Sequence, residues 1–512
     1  MALTSPLAAI ALVCVISIFF KHILMKRRKL PLPPGPRRLP IIGNALSIPT
    51  RRIAQVYREM SVQYGDLVYL ESFGQPLLVI GTHETALDLL EKRSAKYADK
   101  VHSTMASLAG WDWVLPIMPY GPWWRRSRKA FHEFFNPGAI VLYRPIQLEC
   151  SQRILSRLVR DPQHFPEHIR HCIGSGIMRI TYGIDIENET IPYMAIAAET
   201  MATFAAVFVP GKYLVETFPI LRFLPSWLPG ARFKREGKEW TRIVRRLRDT
   251  PWNATAAAMR DGNAPPSIIM SMLERTSGLE GQALAEETTI ARDTASSAYA
   301  GGADTLFSTT MSFFLAMASY PEVQKRAQVE LDAVVGPHRL PNFDDQPSLP
   351  YIAAIIRECI RWRIVVPLGI MHHSMEDDEY RGYHIPKGTL VIPNAWAMTR
   401  DTRHYPDPEE FKPERYLKDG KLNPEVLDPG DFGFGYGRRG CPGRDFSEAA
   451  LFSFMSHVLH TLKIGPPLDV DGKPLPLDVG MTDGGILALP EPFECTIAPR
   501  SAEAEALIFG SS

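Results

Sequence analysis

The feature that most constrains the fold of this chain is a stretch without proline, residues 286–320, in a sequence that carries 44 prolines among 512 residues. Pro321 follows directly, as proline often does where a helix ends. At about 1.5 Å per residue, a helix over this stretch would be roughly 50 Å long, enough to cross a whole domain. We therefore expect a large domain built around one long helix.

Two adjacent glycines, Gly301 and Gly302, lie in the middle of this predicted helix, where each costs up to about 1 kcal/mol relative to alanine. They are explained if the helix opens locally or if another group approaches its backbone. Asp304 and Thr305 follow at once and supply a carboxylate and a hydroxyl. The alternative is a glycine pair used for helix packing beside a solvated aspartate, and the glycines alone do not decide between the two.

Elsewhere the sequence favours helices, with a minority of strand-like runs. The strand-like runs are residues 67–70, residues 76–80 and the region around 385–392. No glycine- or serine-rich linker and no internal repeat follows the first forty residues. We predict a mainly α fold with a small β-rich subdomain, in one domain over residues 41–500, followed by a tail at 501–512.

The N-terminus is apolar over residues 2–20, and its basic residues come afterwards, at Lys21 and 26–29. About 20 apolar residues are needed for a helix to cross a bilayer. A cleaved signal peptide is the alternative, but it would need basic residues before the apolar run and a small-residue cleavage site. We predict a transmembrane anchor at 1–25 and a basic, proline-rich hinge at 26–40, with the rest of the chain cytosolic.

Charge and cysteine content exclude several classes of protein. Lys plus Arg is 57 and Asp plus Glu is 56, so no overall field attracts nucleic acid, and we expect no nucleic-acid partner. The six cysteines are far apart and form no C-x-x-C motif, which argues against a zinc site, a redox dithiol or a disulfide-rich fold. A cysteine with a function would therefore act alone.

One Glu–Arg pair lies in an unusually apolar helix. Glu358 and Arg361 are three residues apart among isoleucines, and the same spacing occurs at Glu239 and Arg242, so the pair by itself is weak evidence. The apolar neighbours predict burial of the first pair. A buried ion pair needs further partners to offset desolvation, and Arg415 is a candidate.

The sequence around Cys441 is rich in glycine. Residues 431–443 contain Cys441, Arg439 and five glycines. Such a loop can wrap around a sulfur and point backbone N–H groups at it, and with Arg439 nearby this favours the thiolate. Haem iron accepts a cysteine thiolate, whereas an inert buried cysteine needs no such loop. The same letters match a dinucleotide motif and a kinase triplet, but the strands and catalytic loop that those motifs require are absent.

Together these segments resemble the cytochrome P-450 superfamily over essentially the whole chain. The most specific match is the haem-loop pattern F-x-x-G-x-R-x-C-x-G, met by Phe434, Gly437, Arg439, Cys441 and Gly443. The pattern of the oxygen-binding helix is met by Gly301, Gly302, Asp304 and Thr305. The remaining motifs are met by Glu358, Arg361 and Arg415, by Trp124 and Arg128, and by His372. Met371 and His373 replace the proline and arginine that similar sequences often have beside this histidine, which is expected to alter the pocket nearby.

The resemblance implies a haem b cofactor with Cys441 as its axial iron ligand. It implies that the Gly301–Gly302 pair opens the long helix over the iron, and that Asp304 and Thr305 relay protons to dioxygen. The propionate-binding residues would be Trp124, Arg128, His372 and Arg439. The three residues Glu358, Arg361 and Arg415 would be structural.

The resemblance also implies the partners. Electrons would come from NADPH through a separate flavoprotein reductase, and the other implied partners are cytochrome b5, membrane lipid and a lipophilic substrate. A basic cluster on one helix, Arg125, Arg126, Arg128 and Lys129, is interpreted as a docking surface for an acidic reductase, with a merely solvated helix face as the alternative.

The expected location is the endoplasmic reticulum membrane, with a single-pass anchor and a cytosolic catalytic domain. The aromatic and proline-rich residues 208–233 are interpreted as a second membrane contact, with a packed loop as the alternative. The chain looks like fungal microsomal members of secondary metabolism, which suggests a monooxygenase that hydroxylates a terpenoid or similar natural product. A haem-thiolate isomerase or dehydratase without dioxygen activation, and a haem-binding protein without turnover, are the alternatives.

Overall fold

The computed structural model describes residues 30–188, 191–209, 211–482 and 485–510. In chain order its α-helices are α1 (Ile53–Tyr64), α2 (His83–Ala86), α3 (Thr104–Leu108), α4 (Pro122–Phe135), α5 (Pro137–Ile140), α6 (Arg144–Arg160), α7 (Phe165–Tyr182), α8 (Tyr193–Val207), α9 (Leu214–Thr217), α10 (Arg232–Arg260), α11 (Ile268–Glu274), α12 (Gly281–Ser319), α13 (Pro321–Val334), α14 (Pro350–Trp362), α15 (Ala395–Met398), α16 (Gly430–Gly433), α17 (Arg444–Thr461) and α18 (Ala502–Phe509).

The strands are short by comparison. They are β1 (Leu67–Ser72), β2 (Gln75–Ile80), β3 (Asp99–Lys100), β4 (His372–His373), β5 (Asp378–Tyr380), β6 (Tyr383–Ile385), β7 (Leu390–Pro393), β8 (Leu417–Lys418), β9 (Lys421–Leu422), β10 (Leu462–Gly465) and β11 (Thr496–Pro499). The predicted mainly helical fold with a small β-rich part is confirmed.

The chain divides into two compact units. Unit 1 comprises the residues up to Val101 together with Leu368–Met398 and Tyr436–Arg438. Unit 2 comprises His102–Pro367, Thr399–Gly435 and Arg439–Ser512. The domain expected over residues 41–500 stays a prediction.

Unit 1 contains a five-stranded sheet in the order β1-β2-β7-β4-β3. Strands β1 and β2 form an antiparallel hairpin, and β2 pairs in parallel with β7, which comes more than 300 residues later in the chain. The first helix, α1, places Ile53 and Tyr57 against Val68, Leu70 and Val79 of this sheet. Their burial on one helix face and one sheet face explains why both elements form here.

The described part of the proline-rich stretch is fixed to unit 1. The carbonyl of Pro34 accepts a hydrogen bond of 2.8 Å from the Tyr69 backbone N–H, and the Pro31 carbonyl accepts one of 2.8 Å from His384 N–H. Proline keeps this segment extended, as expected. Two of its carbonyls complete the edges of strands, and the hinge expected at 26–40 stays a prediction.

Unit 2 is built around α12, which runs for 39 residues from Gly281 to Ser319. Most of its residues after Ile290 are buried, and it packs mainly on α7. The predicted helix at 286–320 is confirmed, and it begins one turn earlier than expected. Many of the residues in its central part are alanine, serine and threonine, whose small side chains allow neighbouring helices to approach from several sides.

The two ends of the chain give different outcomes. Within the ranges that the structure describes, no helix is both long and apolar enough to cross a membrane. The anchor predicted at 1–25 lies outside those ranges. The predicted tail at 501–512 is mostly the helix α18, whose Ala504 and Ile508 are buried, so it is an ordered element of unit 2.

Candidate functional site

The loop that carries Cys441 joins α16 to α17 by a tight path. The Cys441 backbone N–H donates a 2.7 Å hydrogen bond to the Phe434 carbonyl, which closes the loop. Gly435 has φ +78°, a left-handed conformation that favours glycine. A Cβ added at Gly443 would lie 3.9 Å from Cys441 Sγ, so the chain also passes close to the sulfur on the C-terminal side.

The Cys441 residue as a whole is exposed, although its sulfur is closely surrounded by protein. Burial raises the pKa of the thiol, and the Gly443 N–H and the Arg128 and Arg444 guanidinium groups offset only part of this rise. These groups act in the predicted direction, and the thiolate itself stays a prediction. A bound cation would favour the thiolate, since a coordinating thiol loses its proton.

The helix α4 presents Trp124 and Arg128 one turn apart. Trp124 is buried, and within the described ranges its indole N–H has no hydrogen-bond partner. Arg128 makes no hydrogen bond or ion pair with any described residue, and burial lowers the pKa of its guanidinium. Cys441 is near enough to Arg128 to act electrostatically on it. Desolvated donors of this kind need an anionic acceptor.

Arg439 joins the same group of side chains. Its guanidinium lies 4.5 Å from the centre of the Trp124 ring, and its Nη2 donates to the carbonyls of Pro116 and Met118 at 3.1 and 2.8 Å. Unit 2 therefore brings together one thiol, two guanidinium groups and one indole N–H. This set fits a flat cofactor that carries a metal ion and carboxylates.

The central turn of α12 is not opened. The Thr305 hydroxyl donates to the Gly301 carbonyl at 2.8 Å, and the helix is continuous through both glycines. A Cβ added at Gly301 would meet no atom within 4 Å, whereas one at Gly302 would lie 3.0 Å from Ile177 Cδ1. The expectation of a local opening is therefore not met here. Gly301 faces open space, and Gly302 permits close packing on α7.

Asp304 is held by a residue that sequence reasoning missed. Its buried carboxylate forms an ion pair with Arg170 of α7. The Arg170 guanidinium also lies 4.0 Å from the centre of the Phe307 ring. No signal in the sequence identifies Arg170, because it comes 134 positions before its partner.

The Glu358 network is fully formed. Arg361 donates through Nε and Nη2 to the two Glu358 carboxylate oxygens at 2.7 and 2.8 Å, and Arg415 Nε donates to Glu358 Oε1 at 3.1 Å. The Glu358 and Arg361 side chains are both completely buried. By contrast, Glu239 and Arg242 are exposed and form no ion pair with a described residue.

Two of the predicted cofactor residues belong to unit 1. His372 is buried in β4, and its Nδ1 donates to the Tyr97 carbonyl at 2.8 Å, which fixes the ring. Gly437 has φ +53°, and a Cβ there would lie 2.5 Å from the Leu90 carbonyl oxygen, so this position requires glycine. The other predicted cofactor residues are in unit 2.

The basic cluster on α4 is smaller than its sequence suggests. Arg126 is held by ion pairs of 2.5 Å to Glu286 and 2.8 Å to Glu287, at the start of α12. Arg125 lies over the Tyr120 ring at 5.7 Å, and Lys129 is exposed. Arg126 is therefore paired within the chain, and the docking role of the cluster stays a prediction.

Comparison with known proteins decides the family. A family model described as cytochrome P-450 matches residues 33–496. The chain belongs to the cytochrome P-450 family.

Individual P-450 relatives are similar over nearly the whole length. The chain is 41% identical to the cytochrome P-450 monooxygenase COX2 of Coprinopsis cinerea, over 97% of this chain and 95% of the relative. It is also 41% identical to the monooxygenase COX1 of that fungus, over 96% of this chain and 97% of the relative. The tryptamine 4-monooxygenase of Psilocybe cyanescens is 37% identical, over 96% and 98%. The protein is thus a P-450 monooxygenase, an oxidoreductase whose family implies a haem iron cofactor.

Proposed function

We propose that this P-450 uses dioxygen to oxidise a lipophilic small molecule in a fungal natural-product pathway. A separate flavoprotein reductase supplies the electrons, which it takes from NADPH. Cys441 is the proposed ligand of the haem iron. The proposal rests mainly on one grouping in unit 2. The Cys441 thiol lies near the buried Arg128 guanidinium, and the same unit contains the buried Trp124 indole N–H and the open space beside Gly301.

Each side chain has a separate part in holding the cofactor. Bound at this site, haem supplies the activation of dioxygen that protein side chains lack. Arg128, Trp124 and Arg439 supply N–H donors for its carboxylates, and charge-assisted hydrogen bonds of this kind are the strong ones. His372, held in unit 1 by its bond to the Tyr97 carbonyl, stays a proposed cofactor residue on the strength of the resemblance.

Two residues of α12 are proposed to control protons. The Thr305 hydroxyl now points its proton at the Gly301 carbonyl, and rotation about χ1 would release it toward the open side of the helix. Asp304 can reach a second partner only if its ion pair with Arg170 opens, since that contact holds the carboxylate in place. The acid–alcohol pair supports dioxygen chemistry over an isomerase or dehydratase, which needs no such relay.

The substrate proposal rests on the resemblance to fungal P-450 enzymes of secondary metabolism. A terpenoid or similar scaffold remains the proposed class, and the similarity to a tryptamine 4-monooxygenase adds indole amines as compounds to test.

The experiment combines the enzyme in membranes with a fungal P-450 reductase, NADPH and a panel of terpenoids and indole amines under isotopically labelled dioxygen. We expect a product that has gained one labelled oxygen atom and that requires the reductase. Product formed without NADPH and reductase, or oxygen derived from water, would refute the monooxygenase proposal. A Thr305→Ala variant is expected to consume NADPH while it forms less product, and Thr309→Ala, one turn further along, is the matched control.

A further inference from the structure

A cavity in unit 2 lies behind the proposed reaction site. Its volume is about 40 Å³, and it is lined by residues of four helices, α6, α7, α12 and α17. Protein interiors contain few voids larger than a water molecule, so a cavity of this size requires an explanation.

The lining of this cavity is mainly carbon. Ile173, Ile177, Leu306, Phe446 and Leu451 form most of it. The polar groups that border it are largely occupied within the protein. The Ser151 hydroxyl is bonded to Ser453, the Cys172 thiol donates to the Cys150 carbonyl, and the Gln147 side-chain nitrogen donates to the Phe446 carbonyl.

Water does not account for the whole cavity. Gln147 Oε1 has no partner among the described residues, and the Thr310 hydroxyl is the other polar atom available at the border. Together they could hold one water, which needs two to four polar partners and roughly 10–15 Å³. The remaining volume is lined by apolar atoms, and cavities of that kind stay dry and bind apolar gases.

The cavity adjoins the residues that the proposed function uses. Ile177 forms one wall and contacts Gly302, because its Cδ1 occupies the space that a Cβ there would take. Leu306 forms another wall and directly follows Thr305. Phe446 lies in the first turns of α17, the helix that begins just after Cys441. Ile177 therefore borders both the cavity and Gly302 of α12.

We propose that this cavity is a holding site for dioxygen, from which the gas reaches the reaction site past Ile177. The inference rests on the proposed function, because it assumes that the enzyme consumes dioxygen. Dioxygen is small and apolar, so it partitions from water into a dry cavity lined with carbon. We assign the gate to Ile177 because it borders both the cavity and Gly302.

Xenon binding tests the site without any catalytic turnover. The probe is xenon dissolved in a solution of the full-length holoenzyme, observed by xenon NMR. We expect a bound-xenon signal in the wild type that is lost in Ala450→Leu, which fills the cavity, and weakened in Gly176→Ala. The added methyl of Gly176→Ala would meet Cys150 Sγ at an ordinary 3.6 Å, so that variant should fold even if the leucine variant does not. Ala333→Leu, an exposed position on α13, is the control for added apolar mass and should keep the signal.

Gas kinetics test the function of the site. Carbon monoxide serves as the probe, and its association rate with the reduced holoenzyme is measured after flash photolysis. We expect the rate to fall severalfold in Ala450→Leu, to fall less in Gly176→Ala, and to rise in Ile177→Val, where the gate is smaller.

The outcomes separate this inference from the proposed function. Wild-type enzyme without bound xenon, or filled variants with unchanged carbon monoxide association, would overturn the holding site. Failure of the enzyme to transfer labelled oxygen would overturn the proposed function and leave the xenon result intact.

Discussion

At the scale of single residues, the two central glycines of α12 have different reasons to be glycine. Gly301 faces open space, and Gly302 leaves room for Ile177 Cδ1. Alanine is favoured over glycine inside a helix by about 1 kcal/mol. We therefore expect Gly301→Ala to raise the free energy of unfolding of the haem-free protein and Gly302→Ala to raise it less or to lower it. Denaturant unfolding of both variants measures the difference.

A second substitution checks the cause of that difference. Ile177→Val removes the Cδ1 atom that crowds the added methyl, so the effects of Gly302→Ala and Ile177→Val should not be additive. Additive effects, or equal effects of the two alanine substitutions, would contradict the packing explanation. In the loaded enzyme, Gly301→Ala is expected to retain less haem, because the open space beside Gly301 is where we place the cofactor.

The chain contains its own control for the buried ion pair. Glu358 and Glu239 each precede an arginine by three residues, but only Glu358 is buried and bonded to two arginines. Removing one partner of a buried pair typically costs about 3–5 kcal/mol, whereas exposed positions stay within about 0.5 kcal/mol. Glu358→Gln should lower the free energy of unfolding strongly, and Glu239→Gln should leave it unchanged. Similar values for the two variants in chemical denaturation would refute the structural role.

The sequence predicted these residues unevenly. Motif spacing identified Glu358, Arg361 and Cys441, because those residues are close in sequence to the neighbours that define their chemistry. It did not identify Arg170 as the partner of Asp304, or Glu286 and Glu287 as the partners of Arg126. Both depend on contacts between distant helices, which spacing along one helix cannot reveal.

At the scale of elements, α10 and α12 bury a carboxyl between them. Arg248 Nε lies 2.7 Å from Asp293 Oδ1, yet burial raises the pKa of the Asp293 carboxyl from 3.8 to about 6. A folded-state pKa above the unfolded value means that the folded protein binds the extra proton. Protonation of Asp293 therefore raises the free energy of unfolding below about pH 4, and this contribution is lost as the pH rises to about 6.

An asparagine at this position should remove that pH dependence. The rise in the pKa of Asp293 corresponds to a contribution of about 3 kcal/mol to the free energy of unfolding. Roughly 1–2 kcal/mol of this contribution is lost between pH 5 and 7. We expect the wild type to lose stability relative to Asp293→Asn over this interval, measured by denaturant unfolding at each pH. A constant difference between the two proteins would show that the carboxyl is already charged at pH 5.

The long helix and its neighbours were the most predictable elements. Absence of proline and the following Pro321 located α12 to within five residues at its start and one residue at its end. The short strands were less predictable: β3 and β4 have two residues each, and their pairing depends on positions far apart in the chain. The proline-rich stretch was predicted as extended, but its hydrogen bonds to β1 and β6 were not visible in its composition.

At the scale of the whole molecule, one surface of unit 2 is unusually apolar. Ile220, Phe223 and Trp227 are each at least 70% exposed, beside the exposed cations Arg222 and Arg232. Exposed apolar patches next to cations mark membrane contact sites. This supports the interpretation of residues 208–233 as a membrane contact, while the endoplasmic reticulum location and the anchor at 1–25 stay predictions.

Vesicle binding tests this surface. A protein lacking residues 1–25 and carrying Ile220→Ser, Phe223→Ser and Trp227→Ser should float less with phospholipid vesicles than the same truncation without those changes. Serine substitutions at Val62 and Val329, which are also exposed but lie elsewhere, provide the matched control. Equal flotation of all three proteins would contradict a membrane role for the loop.

The central claim is that Cys441 holds a haem iron, and the spectrum of the reduced enzyme with carbon monoxide tests it most directly. The wild type is predicted to show the absorption band specific to thiolate-ligated haem. Cys441→Ser is predicted to lose this band, whereas Cys495→Ser, a control cysteine elsewhere in unit 2, should keep it. A thiolate band that survives in Cys441→Ser would contradict the account.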